Sequence, residues 1–453
     1  MDPLSLGTLA EMSGASLLSG NPETCALRVS KDTRIVQAGD LYVAIRGDRF
    51  DGNRYIQEAA AKGAVAALCD AEAPVGLPAD FGVLSTPDSL TGLTLLASSW
   101  RSQLGLRSVV ITGSSGKTST KDFATAVMRS RFRTTATEGN LNNHIGLPIS
   151  ILAAGRADEV AVWEIGMNHR GEISPLAGLA RPEIGIITGI GTAHIEYLGS
   201  RDRIAREKGD LFERLPASGA AIIPVHDDFA TELRARTSAR ILSVGFDAGE
   251  LRATRVKPDL MGSRFVIEGE FGRAEAFLPV PGKHMVGNAL LAVAAGVLAG
   301  IPLEECAGAL TSIQLTGGRL RCLERRKVTL IDDTYNANPD SMVAALETLS
   351  SLPGEGCKIA VLGMMGELGV HASAGYERVG KASAPLLDTL ICVGTAAAAI
   401  GEAAVAAGLS DVRFVADNPE AARLVSSLAR GGDMVLLKAS RNARMEEVLH
   451  QFN

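Results

Sequence analysis

The sequence predicts an α/β protein of three domains: a small N-terminal α/β domain (1–86), a central parallel sheet flanked by helices and carrying a P-loop (87–315), and a C-terminal Rossmann-like doubly wound domain (316–453). Three observations lead there. Apolar runs of strand length alternate with helix-length stretches along 453 residues, the pattern of parallel sheets covered by helices. Aromatic residues make up only 4% while glycine numbers 49, which suits close helix-on-sheet packing better than an aromatic-rich sandwich. One apolar run, Ser108–Thr112, leads straight into a glycine-rich loop and then a helical stretch.

In the first segment, Asp40–Arg46 reads as a strand and Gly47–Gly52 as a turn. Tyr55–Lys62 is helical, and the apolar run Ala64–Leu68 follows. Asp88–Arg107 is a helix and connection. The second segment places strands at Ser108–Thr112, Val160–Trp163, Ile184–Thr188 and Ala220–Ile223, with a helix over Thr118–Arg131. The third starts around Gly317-Gly-Arg319 and places strands at Thr329–Asp332, Lys358–Leu362, Leu390–Val393 and Met434–Leu437.

A net charge of -6 gives no global pull toward nucleic acid or anionic membrane. The six cysteines form no CxxC pair, so reduced, mostly buried thiols in a cytoplasmic protein are expected, not a zinc site or disulfide framework. The N-terminus lacks the basic start and apolar run of a signal peptide. Met285–Leu303 is interrupted by Asn288 and glycines and reads as one buried helix, so no stable membrane insertion is expected.

The loop Gly113-Ser114-Ser115-Gly116-Lys117-Thr118-Ser119 carries the first chemistry. Backbone amides and a helix N-terminus face an anion, Lys117 adds a point charge, and the Thr118 hydroxyl can ligate Mg2+. The full G-x-x-x-x-G-K-[ST] spacing is absent because Ile111 stands at the first glycine position. Glu164 closes a buried strand, where a carboxylate either holds Mg2+ or is merely solvated. His194 on a loop and Lys208 on a helix would, alone, read as structural. The polar stretch Ile331–Ser341 ends an apolar strand, where such sheets hold ligands; the bland alternative is a turn capped by Asp340 or Ser341. In Phe414–Glu420 we read a helix start with Asn418 as cap and Pro419 at the first helical position.

Taken together the motifs resemble the Mur ligase family over nearly the whole chain. They are Asp32-Thr-Arg34 with Gly39–Ala44 and Phe50-Asp-Gly52; the loop Thr112–Thr118; Gly139-Asn-Leu-Asn-Asn-His-Ile-Gly-Leu-Pro148; Glu164–Glu172; Asp332-Asp-Thr-Tyr-Asn-Ala-Asn-Pro339; and Gly366-Glu-Leu-Gly369. Gly-Asn-x-Asn-Asn and Tyr-Asn-Ala-Asn-Pro point to the branch that joins D-Ala-D-Ala to UDP-MurNAc-tripeptide with ATP and Mg2+, through an acyl phosphate. The resemblance implies that Lys117 and Thr118 hold ATP phosphates and Mg2+, and that Glu164 and His194 ligate magnesium. It implies that Lys208 is carbamylated and helps bind a second Mg2+. Asn288 would contact adenine, Arg319 the γ-phosphate and Asp333 the ribose. Thr33, Arg34 and Asp51 would hold the UDP part of the substrate in the first domain. Asn142, Asn143, Asn168 and Asn336 would face the substrate, joined by Lys438, Ser440 and Arg441 from the third domain. A cytoplasmic monomer is expected, with no nucleic-acid partner.

Three positions depart from the family pattern: Met285 and Gly189 stand where asparagine is usual, and Met364 where aspartate is usual. These departures point to altered nucleotide affinity or to a related ligase with a different amino-acid acceptor. Lys117, Glu164, His194 and Arg319 are retained, so activity is expected to persist. The rival from another class is a nucleotide-binding scaffold without turnover.

Overall fold

The computed structural model describes residues 1–47, 50–72, 74–313 and 315–452. It divides into two compact units that do not follow chain order. One holds Met1–Val110, Phe132–Gly166 and Glu172–Glu183; the other holds Ile111–Arg131, Met167–Gly171 and the chain from Ile184 onward.

The first unit contains a five-stranded sheet in the order Ser16–Ser19, Gly82–Ser85, Ala66–Cys69, Asp40–Val43, Arg28–Ser30. Only Ser16–Ser19 runs antiparallel to its neighbour. Asp40–Val43 and Ala66–Cys69 are buried at every residue, as interior strands covered on both faces are. Tyr42, Ile56, Phe81 and Val83 pack together there, and each such fully buried large apolar side chain contributes roughly 1.5–3 kcal/mol. The turn expected at Gly47–Gly52 is seen as a short pairing of Arg46–Gly47 with Phe50–Asp51; Asp48 and Arg49 lie outside the described residues. Helix Ser89–Gln103 starts at Asp88, whose carboxylate accepts from the Thr91 amide at 2.8 Å. Strands Thr134–Ala136, Val160–Glu164 and the start of Arg107–Thr112 lie side by side in this unit.

In the second unit Ile184–Ile187, Ala220–Pro224 and Arg240–Gly245 are parallel neighbours, as expected of the central sheet. Beyond them Leu251–Asp259, Gly262–Gly269 and Gly272–Leu278 form an antiparallel meander that the sequence reading did not place. Leu251–Asp259 alternates inward and outward residues, so it has no continuous apolar run to betray it. Helix Lys117–Arg129 packs on helix Lys283–Leu298 so closely that a Cβ on Gly296 would lie 2.4 Å from Val127 Cγ1. The single helix expected over Met285–Leu303 is two. It stops at Gly300, which takes a left-handed φ of 90°, and Pro302 leads into Leu303–Ala309.

The same unit carries a six-stranded sheet in the order Arg321–Arg325, Val328–Asp332, Met434–Lys438, Lys358–Leu362, Thr389–Val393, Val412–Val415. All neighbours but the first pair are parallel. Val328–Asp332 and Lys358–Leu362 flank Met434–Lys438, so the strand ends bearing Asp333 and Lys438 lie next to each other. Two expectations are corrected. Helix Asn418–Leu428 is capped by Asp417, which accepts from the Glu420 amide at 2.9 Å; Asn418 instead donates to the Ala443 carbonyl. Of the cysteines only Cys69, Cys306 and Cys392 are buried, while Cys25 and Cys357 are exposed. No helix among the described residues is long and apolar enough to cross a membrane.

Candidate active site

The strand Arg107–Thr112 ends in the loop Gly113–Gly116, and Gly116 is the residue before helix Lys117–Arg129. Two glycines make the turn. Gly113 sits at φ 150°, and a Cβ there would meet Thr188 Oγ1 at 1.9 Å. Gly116 sits at φ 82°, and a Cβ would fall 2.5 Å from Asn288 Oδ1. Both need the freedom of a residue without a side chain. The Ser114 amide donates to the Gly189 carbonyl at 2.9 Å, and Lys117 Nζ donates to the Gly113 carbonyl at 2.9 Å. Gly116→Ala is therefore expected to lower stability by about 1–3 kcal/mol through left-handed strain and contact with Asn288, read as a shift of the urea midpoint.

A cavity of about 490 Å³ opens over this loop within the second unit. Ser114–Ser119 form one wall, Asn288 and Met285 another, and Arg319, Asp333, Tyr335 and Asn336 a third. Arg319 lies over the Tyr335 ring, 3.8 Å from its centre, and donates to the Thr316 carbonyl. The Thr316 amide is tied to Asp122 Oδ2 at 2.9 Å. Lys438 Nζ donates to Asp333 Oδ2 at 2.5 Å and to the Asn336 carbonyl at 3.0 Å. Asn338 caps helix Pro339–Ser351 through Oδ1 and donates Nδ2 to Ser115 Oγ at 3.0 Å. The stretch Ile331–Ser341 is thus a helix cap and a cavity wall at once. The capping residue is Asn338, not Asp340 or Ser341.

His194 takes a left-handed φ of 64°, and its Nδ1 lies 2.7 Å from Glu367 Oε2. Burial lowers the imidazole's affinity for protons; Glu367 opposes that shift, while Lys117 and Lys208 reinforce it. The imidazole in turn holds the Glu367 carboxyl below the usual range. Lys208, on helix Arg201–Glu213, is fully buried, and its Nζ has no hydrogen-bond partner among the described residues. Burial and then repulsion from Lys117 push this amine far below an ordinary lysine, with Glu207 partly opposing. Nothing in the motif Gly366-Glu-Leu-Gly369 signals that Glu367 has a partner at His194, far away in the chain.

In the first unit Glu164 is buried. Its Oε1 accepts from Asn142 Nδ2 at 2.7 Å, and its Oε2 has no partner among the described residues. Asn143 is engaged locally, accepting from the amides of Ile145 and Gly146 ahead of helix Gly146–Ala153. Thr33 is buried, its carbonyl taking Lys62 Nζ at 2.9 Å. Arg34 is exposed and pairs with Asp32, which it holds down to about 2. Asp51 accepts from the amide and side chain of Asn53. In the second unit Asn168 and Arg441 are exposed, the latter paired with Glu446, while Ser440 Oγ is buried and unpartnered among the described residues. The structure therefore gathers Lys117, Thr118, Asn288, Arg319, Asp333, Asn336 and Lys438 on one cavity, whereas Ser440 and Arg441 do not line it.

The departures have local accounts. Met285 Sδ receives Asn288 Nδ2 at 3.8 Å, steadying the asparagine. Gly189 sits at φ 143°, a backbone that an asparagine would strain, and its carbonyl receives Ser114. The Met364 carbonyl accepts the Ser440 amide at 2.9 Å.

Three segments match models of Mur ligase domains: the Mur ligase family catalytic domain over 28–89, the Mur ligase middle domain over 111–296, and the Mur ligase glutamate ligase domain over 318–441. The chain is 35% identical, over 97% of its length and 96% of the relative's, to the UDP-N-acetylmuramoyl-tripeptide–D-alanyl-D-alanine ligase of Bacillus subtilis. This chain is a ligase of the Mur family. Its fold agrees: a crystal structure of MurF from Acinetobacter baumannii superposes with a TM-score of 0.90 at 31% identity, covering 100% of this Mur ligase and 99% of that chain. MurF ligase from Thermotoga maritima, solved in complex with ADP, matches with a TM-score of 0.83 at 27% identity over 94% of this chain and 96% of that one.

Proposed function

We propose that this Mur ligase joins D-Ala-D-Ala to UDP-MurNAc-tripeptide using ATP and Mg2+, in the synthesis of peptidoglycan precursors. The observation that carries the reading is the cavity over the glycine-rich loop, walled by Lys117, Arg319 and Asp333. Its volume of about 490 Å³ lies in the range that nucleotide-sized ligands occupy. The donor set fits a triphosphate: loop amides, a helix N-terminus, an ammonium and a guanidinium. The Thr118 hydroxyl is proposed as a magnesium ligand, and so is Glu164, whose Oε2 has no partner among the described residues, since Mg2+ takes one or two carboxylates together with phosphate and water oxygens. His194 would complete that set. When bound, the metal neutralises phosphate charge.

The chain's own residues supply the rest. A carboxylate is a poor acylating agent until its oxygen carries a phosphoryl group. Lys117 and Arg319 would stabilise the charge that builds on the γ-phosphate as it passes to the tripeptide carboxylate. The amine of D-Ala-D-Ala then attacks the acyl carbon, and phosphate leaves. Asn288 would meet adenine and Asp333, held by Lys438, the ribose. Lys208 is proposed to be carbamylated, because a buried amine kept neutral is the nucleophile that CO2 requires, and the resulting anion would face Lys117 favourably. Thr33, Arg34 and Asp51 would take the UDP group; Asn142, Asn143, Asn168, Asn336, Ser440 and Arg441 are proposed on the substrate side.

The matched segments 28–89, 111–296 and 318–441 support domains at 1–86, 87–315 and 316–453, the first match running slightly past the first boundary. A monomer working in the cytoplasm is proposed with the same reading. Product mass spectrometry with ATP, UDP-MurNAc-tripeptide and a panel of acceptors tests it. The pentapeptide product is expected with D-Ala-D-Ala; turnover with a single amino acid in its place would assign a different ligase specificity, and ATP binding without any product would make this a scaffold.

A further inference from the structure

The loop Gly191–Glu196, which carries His194, is gripped by two carboxylate residues of the third domain. Asp340 Oδ2 accepts both the amide and the hydroxyl of Thr192, at 2.8 and 2.9 Å, while its other oxygen is fixed by Arg378 at 2.7 Å. Glu367 Oε2 lies 2.7 Å from His194 Nδ1, and the Glu367 carbonyl accepts the Glu196 amide at 3.2 Å. Two glycines make the approach close enough. A Cβ on Gly191 would lie 2.3 Å from Asp340 Oδ2, and one on Gly369 would lie 2.8 Å from Glu196 Cγ. His194 and Glu367 both hold left-handed backbones at φ 64° and 60°, conformations that persist in such residues only where the surroundings impose them.

We infer that Asp340 and Glu367 are positioning residues that hold the Gly191–Glu196 loop, and with it the His194 ring, in the reactive arrangement. The inference rests on the proposed role of His194. Glu367 sits on the Nδ1 side of the ring at ion-pair distance, off the line of a hydrogen bond, and so leaves Nε2 as the nitrogen to face a ligand, the work of an outer carboxylate beside a ligating histidine. Asp340 fixes the loop's entry two residues earlier. Because both acids come from the third domain, the placement of the histidine depends on contacts that this domain supplies.

The test compares His194→Ala, Asp340→Ala, Glu367→Ala and Glu367→Gln with the parent enzyme by steady-state kinetics and by hydrogen exchange of the peptide spanning Gly191–Glu196. Asp340→Ala and Glu367→Ala are expected to lower kcat about 10–100-fold, with KM values within about twofold. The amides of Thr192 and Glu196 should exchange faster in the same variants, while those of strand Ile184–Ile187 stay protected. Glu367→Gln, which keeps the size of the side chain and a polar oxygen beside Nδ1, should recover most of the rate and protection. Unchanged exchange, or faster exchange with parental kcat, in the two alanine variants would overturn the inference. A fully active His194→Ala would instead remove the role of His194 on which it stands.

Discussion

Lys117→Ala is expected to lower kcat by about 10³-fold, the scale seen when one charged or hydrogen-bonding group aimed at a developing oxyanion or transferred phosphoryl group is lost. The ammonium is built into the loop by its bond to the Gly113 carbonyl, so its position is set before any nucleotide arrives. Lys117→Arg should not restore the rate. The guanidinium is planar and longer, and the space between Gly113 and the helix start is fixed by contacts with Thr188 and Asn288. The measurement is phosphate release with both substrates saturating, alongside the thermal midpoint to confirm folding. Retention of kcat within tenfold in the alanine variant would show that Lys117 does not act on the transferred group.

The second large effect has opposite signs in two assays. Lys208→Met should abolish ligation, down by about 10²-fold or more, yet raise stability in bicarbonate-free buffer. The wild-type amine is fully buried without a partner, so methionine removes a polar group that folding strips of water and replaces it with a packed thioether. The pH dependence follows from the lowered affinity of Lys208 for protons. Above the ordinary lysine value neither folded nor unfolded chain binds a proton there, and the penalty vanishes. As pH falls below it the unfolded chain takes up a proton that the folded chain refuses, and folding is penalised progressively. The melting-point gain of Lys208→Met should therefore be larger at pH 7 than at pH 10. Bicarbonate should shrink it, since a carbamate facing Lys117 replaces the uncompensated amine; a 44-dalton adduct on Lys208, by roughly the mass of CO2, would report that directly. A gain independent of both pH and bicarbonate would mean that Lys208 is an inert core residue.

The strands buried on both faces were legible in the sequence because each is a continuous apolar run: Ser108–Thr112, Ile184–Thr188 and Lys358–Leu362 all lie within a residue or two of the observed elements. The meander Leu251–Leu278 was not: Leu251–Asp259 and Gly272–Leu278 alternate buried and more exposed residues, and the buried apolar run of the strand between them, Phe265–Ile267, is only three residues long. The same logic divides the site. Lys117 and Thr118 could be read from local spacing because the loop and helix that use them are contiguous in sequence. Glu367 could not, because its meaning is a contact with His194 across a fold. Asn418 was assigned the capping role that belongs to Asp417 for a smaller reason: both are good caps, and the choice was settled by Asn418 finding carbonyls at Ala443 and Arg444.

Asn338 ties a helix start to the glycine-rich loop. One amide group has two clients, with its oxygen serving the first turn of helix Pro339–Ser351 and its nitrogen serving Ser115 on the loop. Serine, threonine, aspartate and asparagine are interchangeable as helix caps to within fractions of a kcal/mol, but aspartate could keep Ser115 only by accepting from its hydroxyl and would set a negative charge against the phosphate side of the cavity, while the short hydroxyls fall short of the loop. The alphabet open to this position therefore contracts from four letters to one, and the contraction is imposed from another part of the chain. Asn338→Asp should separate the two duties, leaving the helix intact by circular dichroism while weakening ATP binding.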